Sequence, residues 1–419
     1  MASFRFLHAA DIHLDSPLRG LAADPEAPAA RIRDASRVAL GNLVDAALRH
    51  RVALVVVAGD LFDGDWQDWR TGHAMAGQLA RLTRSGIRVV MIRGNHDADS
   101  VLTRGLALPD GAALLPHDRP GTVDLPEIGA AVHGQSFATR EVLDNLALRY
   151  PAPLPGRVNI GLLHTAASGR DGHANYAPCG IEQLAAHGYH YWALGHVHTR
   201  EVLHDAPWIV FPGNLQGRHI RETGAKGAML VTVRDGAVLP PEHLVLDDVR
   251  WEHLHLDVTG AADTEAVHTL LHGALGPLLD GAGGRLLALR VTLHGPTAAH
   301  GALLRDAGET RGRIRAEVLA ASGPGAAWVE DVRLRTRPAA APPAAADDAV
   351  QVLLGAIQGA SPEAVAASVR GYAKGLLDRA AGLRGALGED HPAVRAAAGE
   401  LPAELVQRAR DMLLARLGA

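Results

Sequence analysis

The sequence predicts a protein of the α/β class with a smaller α+β domain and a helical C-terminal tail. Short apolar runs alternate with helical stretches from residue 4 to about residue 235, and a turn-rich stretch at 236–250 ends this pattern. A second, shorter set of strands and helices follows, and then a stretch rich in alanine and proline. Short apolar runs are typical of buried strands, and their alternation with helices predicts a layered α/β fold.

The composition restricts the possible partners and the cellular compartment. The chain has 419 residues, 47% of them apolar and 21% charged, which is ordinary for a globular protein of two or three domains. The net charge of -5 shows no overall basic character that would indicate nucleic acid, so any DNA site would be a local groove, to which metal cations can contribute part of the positive charge. The single cysteine, Cys179, excludes an internal disulfide framework.

No part of the sequence predicts contact with a membrane. No apolar run approaches the about 20 residues that a membrane helix requires. The first residues lack the basic start, the long apolar stretch and the cleavage site of a signal peptide. We therefore expect a soluble cytoplasmic protein.

Residues 1–240 are predicted to form the main domain. Residues 31–49 and 71–85 have helical spacing and good helix formers. Seven apolar runs are predicted to be strands, and they read FRFLHA, ALVVVAG, IRVVMIRG, RVNIGLLH, YWALGH, WIVFPG and AMLVTV.

Residues 250–335 are predicted to form a smaller α+β domain. WEHLHLDV, RLLALRVTLHG and AAWVEDVRLR alternate like strands, and residues 263–279 and 299–321 are predicted to be helical. Residues 336–348 are a linker by composition.

Residues 349–419 are predicted to form a helical tail. Ser361, Pro362 and Glu363 together are typical of a helix start. Two apolar stripes have helical spacing, and they consist of Val350, Leu353, Leu354 and Ile357 and of Leu405, Ala409, Met412, Leu413 and Leu417.

Polar side chains follow the predicted strands of the main domain. The carboxyl ends of strands are where sites assemble in α/β sheets. Alternate residues of an extended chain point the same way, so His196 and His198 can face one spot. The candidate ligands, in chain order, are Asp11 and His13 in DIH, Asp60 in GDLFD, Asn95 in GNHD, His164 in LLH, and His196 and His198 in GHVH.

These seven groups are sufficient for two metal ions if one carboxylate bridges them. Asp60 is the natural bridge, because a carboxylate has two oxygens and its charge relieves the repulsion between two cations. Nitrogen and oxygen ligands without thiolate favour Mn²⁺, Fe or Zn²⁺ over Mg²⁺. Two ions about 3.5–4 Å apart can hold a shared water, lower its pKa and bind a phosphoryl oxygen for in-line attack. His96 is left for chemistry, either as a proton donor to the leaving oxygen or as a positive charge beside the phosphoryl group.

The ordered set D-x-H, GD, GNHD, H and GHxH resembles the motifs of the calcineurin-like metallophosphoesterases over roughly residues 4–235. The resemblance implies a four-layer α-β-β-α sandwich. It implies one ion held by Asp11, His13, Asp60 and His198. It implies a second ion held by Asp60, Asn95, His164 and His196.

Within that superfamily the sequence is similar to the SbcD-type DNA repair nucleases, in particular to their YhaO-like branch. The similarity lies in HAADIHLDSPL, GDLFD, NYAPC, YWALGHVH and PGNLQGRHIRETGAKG. It implies a metal-dependent DNA phosphodiesterase, exonuclease or endonuclease, with Mn²⁺ as the expected metal. It also implies a capping domain that binds DNA at 250–335, a tail that binds a coiled-coil ATPase of the SbcC kind, and a homodimer. Some relatives have a histidine where this chain has Asp63, so that role does not transfer.

Several residues around the predicted site have two interpretations. Arg218, His219 and Arg221 follow PGN and either contact a phosphate of DNA or belong to a solvated loop. Asp15 and Asp63 are predicted to be supporting or loop groups rather than ligands. His8, His133 and His190 are predicted to be structural.

Two other functions stay open. The first is a small-molecule or protein phosphoesterase on the same fold, although Gly64 stands after Asp63 where protein phosphatases typically have arginine. The second is a non-catalytic subunit that organises an SbcC-like ATPase. Such a subunit would show eroded ligands, whereas all seven are present.

Overall fold

The computed structural model of the chain divides into two compact units. The first unit comprises Met1–Glu252, Ala282–Leu289 and Gly325–Trp328, and the second comprises the remainder. The predicted domain boundaries stay predictions. The residues that the structure describes are 2–16, 27–63, 68–98, 100, 108–167, 176–339, 355, 356, 359, 361–379, 391–400, 409 and 413.

A seven-stranded mixed sheet forms one half of the first unit. Its strands are β1 (Phe4–Ala9), β2 (Leu54–Ala58), β3 (Arg88–Ile92), β4 (Ala112–Leu114), β11 (Gly227–Arg234), β12 (Ala237–Val238) and β13 (Glu242–Val245). They lie in the order β12-β11-β1-β2-β3-β4, and β13 also pairs with β11. The strands β1 to β4 are parallel to one another, whereas β11 is antiparallel to β1.

A six-stranded sheet forms the other half. Its strands are β5 (Gly121–Leu125), β6 (Ala130–Gly134), β7 (Val158–His164), β8 (Tyr191–Gly195), β9 (Glu201–Asp205) and β10 (Trp208–Phe211). They lie in the order β5-β6-β7-β8-β10-β9. The four central strands are parallel, and the two edge strands are antiparallel to them.

The alternation of side chains along the strands produces four layers. Leu7 and Val55 face the helices α1 (Ala29–Arg49) and α2 (Trp69–Arg84), and these residues belong to one buried apolar cluster. Phe6 and Val56, one position along the same strands, face the second sheet in another cluster. The outer face of the second sheet packs against a 3-10 turn at Leu146–Arg149 and the helix α3 (Ile181–Ala186). This arrangement confirms the predicted α-β-β-α sandwich.

A smaller α+β region follows along the chain. Its sheet has three strands, in the order β14 (Val249–Asp257), β15 (Leu286–Thr297) and β16 (Ala327–Pro338). Its helices are α4 (Thr264–Ala282), α5 (His300–Arg305) and α6 (Ala307–Ser322). The helix predicted at 299–321 is thus two helices. Asp306 has a non-helical backbone (φ -128°, ψ 82°), and its side chain accepts the N–H of Glu309 at 2.8 Å, which caps α6.

The described part of the tail contains α7 (Pro362–Arg379) and α8 (Pro392–Ala398), which lie next to each other. The Ser361 hydroxyl accepts the N–H of Ala364 at 3.1 Å, as the predicted helix start requires. Residues 336–338 of the predicted linker are the end of β16, and positions from 340 onward in it lie outside the described residues. Of the two predicted apolar stripes, Ala409 and Leu413 alone are among the described residues. Within the described residues, every helix is too short or too polar to span a bilayer.

Candidate metal centre

The predicted ligands lie at the carboxyl ends of five strands of the first unit. Asp11 and His13 follow β1, Asp60 follows β2, and Asn95 follows β3. The second sheet contributes its ligands from two neighbouring strands, since His164 is the last residue of β7, and His196 and His198 follow β8. Because β2 contacts both β7 and β8, these ends of the two sheets meet.

Glycines allow the close approach of these strand ends. A Cβ at Gly195 would overlap the carbonyl oxygen of Ala58, and one at Gly94 would overlap the Asp60 carboxylate. Gly59 has a φ of +96°, and a Cβ there would also press on the His164 ring. The glycine of each GD, GN and GH pair is therefore required by packing and not only by turn geometry.

Four predicted ligands have a left-handed backbone that non-glycine residues rarely adopt. Their φ angles are 51° at Asp11, 44° at His13, 52° at Asp60 and 103° at His196. Each such residue costs on the order of 1–3 kcal/mol and persists where neighbouring structure enforces it. Here the loops after β1 and β2 stabilise each other. The N–H of Asp11 donates to the carbonyl of Gly59, and the N–H of His13 donates to the carbonyl of Asp60, both at 3.0 Å.

Two of the predicted ligands, His13 and His164, approach the carboxylate of Asp60. One carboxylate oxygen of Asp60 lies 3.7 Å from His13 Nε2 and 3.5 Å from His164 Nε2. His198 Nε2 lies 3.3 Å from His13 Nε2 and 3.9 Å from a carboxylate oxygen of Asp11.

The remaining two predicted ligands lie beside His164. The side-chain oxygen of Asn95 is 2.9 Å from His164 Nε2. The His196 and His164 rings are 5.2 Å apart between centroids, and the His196 N–H donates to the Asp11 carboxylate. Among the residues that the structure describes, three sets have ligand atoms close enough to share one ion: Asp11, His13 and His198; His13, Asp60 and His96; and Asp11, Asp60 and His164.

Hydrogen bonds determine which ring nitrogen is left free to bind a metal in two of the imidazoles. His164 Nδ1 lies 2.9 Å from the Ala58 carbonyl oxygen, so Nδ1 carries the proton. His198 Nδ1 lies 2.7 Å from a carboxylate oxygen of Glu222 and carries the proton for the same reason. Both rings therefore direct an Nε2 lone pair towards the carboxylates, as metal-ligating histidines do.

The electrostatics of the site fit divalent cations. Burial and the negative charge of Asp60 raise the pKa of Asp11 well above its usual range. Burial lowers the pKa of both His13 and His164, which favours the neutral form of these rings. Two buried carboxylates facing neutral imidazole lone pairs repel one another, and cations between them would relieve that repulsion. The set contains nitrogen and oxygen donors, which suits Mn²⁺, Fe or Zn²⁺. The division of ligands between two ions stays a prediction.

His96 lies at the edge of the cluster with 28% of its side chain exposed. Its Nδ1 is 2.7 Å from Asp63, and its ring centroid is 4.9 Å from that of His13. Burial opposes the charged imidazole, but the hydrogen bond to Asp63 and the charge of Asp60 raise the pKa of His96 above its ordinary value. Burial likewise opposes ionisation of Asp63, but hydrogen bonds from His96 and Ser16 lower its pKa to about 2. The pair therefore favours a protonated His96.

Sequence reasoning missed two buried carboxylates that support the site. Asp97 accepts the backbone N–H groups of Leu61 and Gly94, at 2.9 and 3.0 Å, and so ties the loop of Asp60 to the loop of Asn95. Glu222 fixes His198 and also accepts from the Asn214 side chain at 2.9 Å. In the sequence, Asp97 is marked only as the last residue of GNHD, and Glu222 only as the acid that follows PGN.

The three predicted phosphate contacts differ in exposure. Arg218 has 19% of its side chain exposed and forms ion pairs with Asp63 and Glu222. His219 has 53% of its side chain exposed, and Arg221 is exposed as well. Contact of these residues with a substrate stays a prediction.

Two protein-family models match the chain. Calcineurin-like phosphoesterase matches residues 4–200, and the middle domain of metallophosphoesterase YhaO matches residues 251–337. The uncharacterized metallophosphoesterase YhaO of Bacillus subtilis (strain 168) is 35% identical over 282 residues, which cover 66% of this chain and 69% of that protein.

Two further proteins are similar to about half of this chain. The DNA double-strand break repair protein Mre11 of Aeropyrum pernix is 30% identical over 240 residues, covering 54% of this chain and 57% of that protein. The crystal structure of a dimetal phosphatase from Danio rerio aligns with a TM-score of 0.36 and 14% identity, covering 56% of this chain and 94% of that one.

The chain belongs to the calcineurin-like phosphoesterases, a family of metal-dependent phosphoester hydrolases with dinuclear metal centres. Within this family it is a homologue of YhaO. The buried cluster around Asp60 is its candidate metal centre.

Proposed function

We propose that this chain is a DNA phosphodiesterase of the SbcD type that acts in DNA repair as an exonuclease or endonuclease. The observation that carries the proposal is the cluster of carboxylates and imidazoles around Asp60, with the His96–Asp63 pair beside it. This arrangement suits hydrolysis of a phosphoester. The similarity to the Mre11 protein supports DNA as the substrate.

The residues of the chain have distinct roles in this proposal. Two divalent cations, proposed to be Mn²⁺, activate a water and offset the negative charge of the phosphoryl group when bound. Their proposed holders are Asp11, His13, Asp60 and His198 on one side and Asp60, Asn95, His164 and His196 on the other. His96 donates a proton to the departing sugar oxygen, and Asp63 keeps His96 oriented and protonated. The exposed His219 and Arg221 contact neighbouring phosphates of the DNA.

A substrate panel tests this function. Purified protein with Mn²⁺ is assayed on single- and double-stranded DNA, on a cyclic nucleotide and on a phosphorylated peptide. The Asp60→Asn variant, purified in parallel, controls for contaminating nucleases. The proposal expects cleavage of DNA that needs added metal. Hydrolysis of the cyclic nucleotide or the peptide without DNA cleavage would point to another phosphoesterase, and a metal-free protein inactive with all ions would point to a non-catalytic subunit.

We further propose that residues 348–419 bind a coiled-coil ATPase of the SbcC kind. In the described part of this tail, α7 exposes 82% of Tyr372 and 51% of Leu376, which is unusual for large apolar side chains. A pull-down of the ATPase with the full chain and with a chain lacking residues 348–419 tests the idea. Equal capture by the shortened chain would contradict it.

Location and oligomeric state are proposals too. The single cysteine is consistent with a reducing compartment, so we propose a cytoplasmic location, which cell fractionation can test.

A homodimer formed by the phosphoesterase domain is proposed from the family resemblance, and light scattering of the full chain tests it.

A further inference from the structure

Arg218 lies between two carboxylates that are distant in the sequence. Its Nη1 is 3.7 Å from a carboxylate oxygen of Asp63, and its Nη2 is 3.1 Å from one of Glu222. Its backbone N–H also donates to the other oxygen of Glu222 at 2.8 Å. The guanidinium Nε is buried and has no hydrogen-bond partner, so the two terminal nitrogens make the polar contacts of this side chain. A planar fork is the group that can hold two carboxylates at once.

Each of these carboxylates holds a different functional imidazole. Asp63 lies 2.7 Å from Nδ1 of His96, the proposed proton donor. Glu222 lies 2.7 Å from Nδ1 of His198, a predicted metal ligand. A continuous polar chain therefore runs from His96 through Asp63, Arg218 and Glu222 to His198.

We propose that Arg218 is a positioning residue that couples the orientation of His96 to that of His198. Without its charge, no cation would lie between the Asp63 and Glu222 carboxylates, and each carboxylate would be freer to turn together with its imidazole. With the charge of Arg218 in place, a movement of either carboxylate displaces the other. The kinetic part of this inference rests on the proposed phosphodiester hydrolysis, whereas its metal-binding part does not.

The contacts of Arg218 favour this role over direct binding of the substrate. Both of its terminal nitrogens already face protein carboxylates, and 19% of the side chain is exposed. Arg221 in the same loop is exposed and is better placed to meet a phosphate, whereas His219, although 53% exposed, has its Nε2 3.7 Å from Glu222. A substrate contact and a positioning role predict different results for the experiments that follow.

The first experiment measures Mn²⁺ affinity by calorimetry, without any substrate. Arg218→Met is expected to weaken Mn²⁺ binding about tenfold, because loss of a group that supports a ligand typically costs 10- to 100-fold. Arg218→Lys is expected to recover little of this loss, because an ammonium group is a point charge and cannot span both carboxylates. Arg119→Ala is the control, since Arg119 has 77% of its side chain exposed, and its affinity should equal that of the unchanged chain.

The second experiment measures leaving-group dependence with aryl phosphodiesters that range from p-nitrophenyl to phenyl esters. A good leaving group departs without a proton, so a variant that disturbs His96 should lose more activity on the phenyl ester. Arg218→Met should show this difference at about tenfold or more. Glu222→Gln should show it as well, although Glu222 holds His198 rather than His96. The double variant should lose less than the product of the two single losses, because both act through one chain of contacts.

Several results would overturn the inference. Equal losses across the ester series with unchanged Mn²⁺ affinity would make Arg218 a substrate contact. Full recovery by Arg218→Lys would show that charge alone is sufficient. Circular dichroism checks that each variant folds, and if Arg218→Met does not, Arg218→Lys and Glu222→Gln carry the same test. Failure to cleave DNA would contradict the proposed substrate but would leave the affinities and the ester series interpretable.

Discussion

Two regions of the first unit bury histidines equally but use them differently. His8 in the interior of the sandwich and His164 at the strand ends are both fully buried. Burial lowers the pKa of both, to about 3 for His8. His8 meets the Tyr191 hydroxyl at 3.0 Å and the Leu194 carbonyl at 3.1 Å, so a neutral ring satisfies both partners.

The second nitrogen of His164 has no such donor opposite it. With Nδ1 bound to a carbonyl, Nε2 faces an oxygen of Asn95 at 2.9 Å and one of Asp60 at 3.5 Å. His133, like His8, lies between two neutral partners, the side chains of Thr122 and Asn159. A buried histidine is therefore a candidate ligand when its free lone pair meets anionic or carbonyl oxygens, and burial alone does not distinguish the two cases.

The largest effect is expected from removing the negative charge of Asp60, the carboxylate that both His13 and His164 approach. Asp60→Asn should lower phosphodiesterase activity by on the order of a thousandfold or more, since a bound ion stabilises the transition state by several kcal/mol. Metal content measured by mass spectrometry should fall below that of the unchanged chain. Asp124→Asn removes an exposed carboxylate paired with Arg157 and serves as the control. Retention of full metal content and activity in Asp60→Asn would contradict the assignment of the centre.

The next test separates chemistry from metal binding within the cluster. His96→Ser should lower activity by about 10²- to 10⁴-fold, which is typical of losing a general acid. Its metal content should stay near that of the unchanged chain, because His96 is bound to Asp63 and is proposed to hold a proton instead of an ion. Full activity would refute the role of His96, and loss of metal would move it into the ligand set.

The sequence predicted strands best where burial is continuous. The residues of β2, LVVVA, are all buried, and such a run needs no neighbour to be recognised. β5 has alternately exposed positions and β12 has two residues, and only their pairing with the adjacent strands β6 and β11 makes them strands. The division of the strands between two sheets likewise depends on pairing, and only the family resemblance indicated it.

The residues of the site also fall into two groups, those that the sequence predicts and those that it does not. Its candidate ligands stand in compact motifs at strand ends, where residue type and spacing are visible in the sequence. The supporting groups act across long separations: Asp97 binds a backbone group 36 residues earlier, and Glu222 binds an imidazole 24 residues earlier. Asp63 was predicted to be a supporting or loop group, but its pairing with His96 appears only in three dimensions. Spacing along the chain carries no information about such contacts.

A smaller effect, on pH dependence, sharpens the contrast between neutral and charged imidazoles. Asp63 raises the pKa of His96, and a proton donor loses activity as the pH rises through its pKa. In Asp63→Asn the pKa of His96 should fall, so the decline of activity on the alkaline side should begin at lower pH. The rate near neutral pH should drop about tenfold, as is typical when an orienting partner is lost. A pH profile of kcat checks this, and an unshifted alkaline limb would exclude His96 as the titrating acid.

The smallest effect on function is expected at His8. His8→Leu should lower the free energy of unfolding by about 1–3 kcal/mol, since it leaves the buried Leu194 carbonyl and Tyr191 hydroxyl without this partner. Metal content and activity should not change, whereas the matched His164→Leu should lose metal. His8 is neutral in the folded state down to about pH 3 but takes up a proton near pH 6.5 when unfolded. The unfolded state therefore binds more protons in that window, so stability falls on acidification. Denaturation curves across this range should show a shallower acid dependence for His8→Leu, and loss of metal from this variant would place His8 with the site instead of the interior.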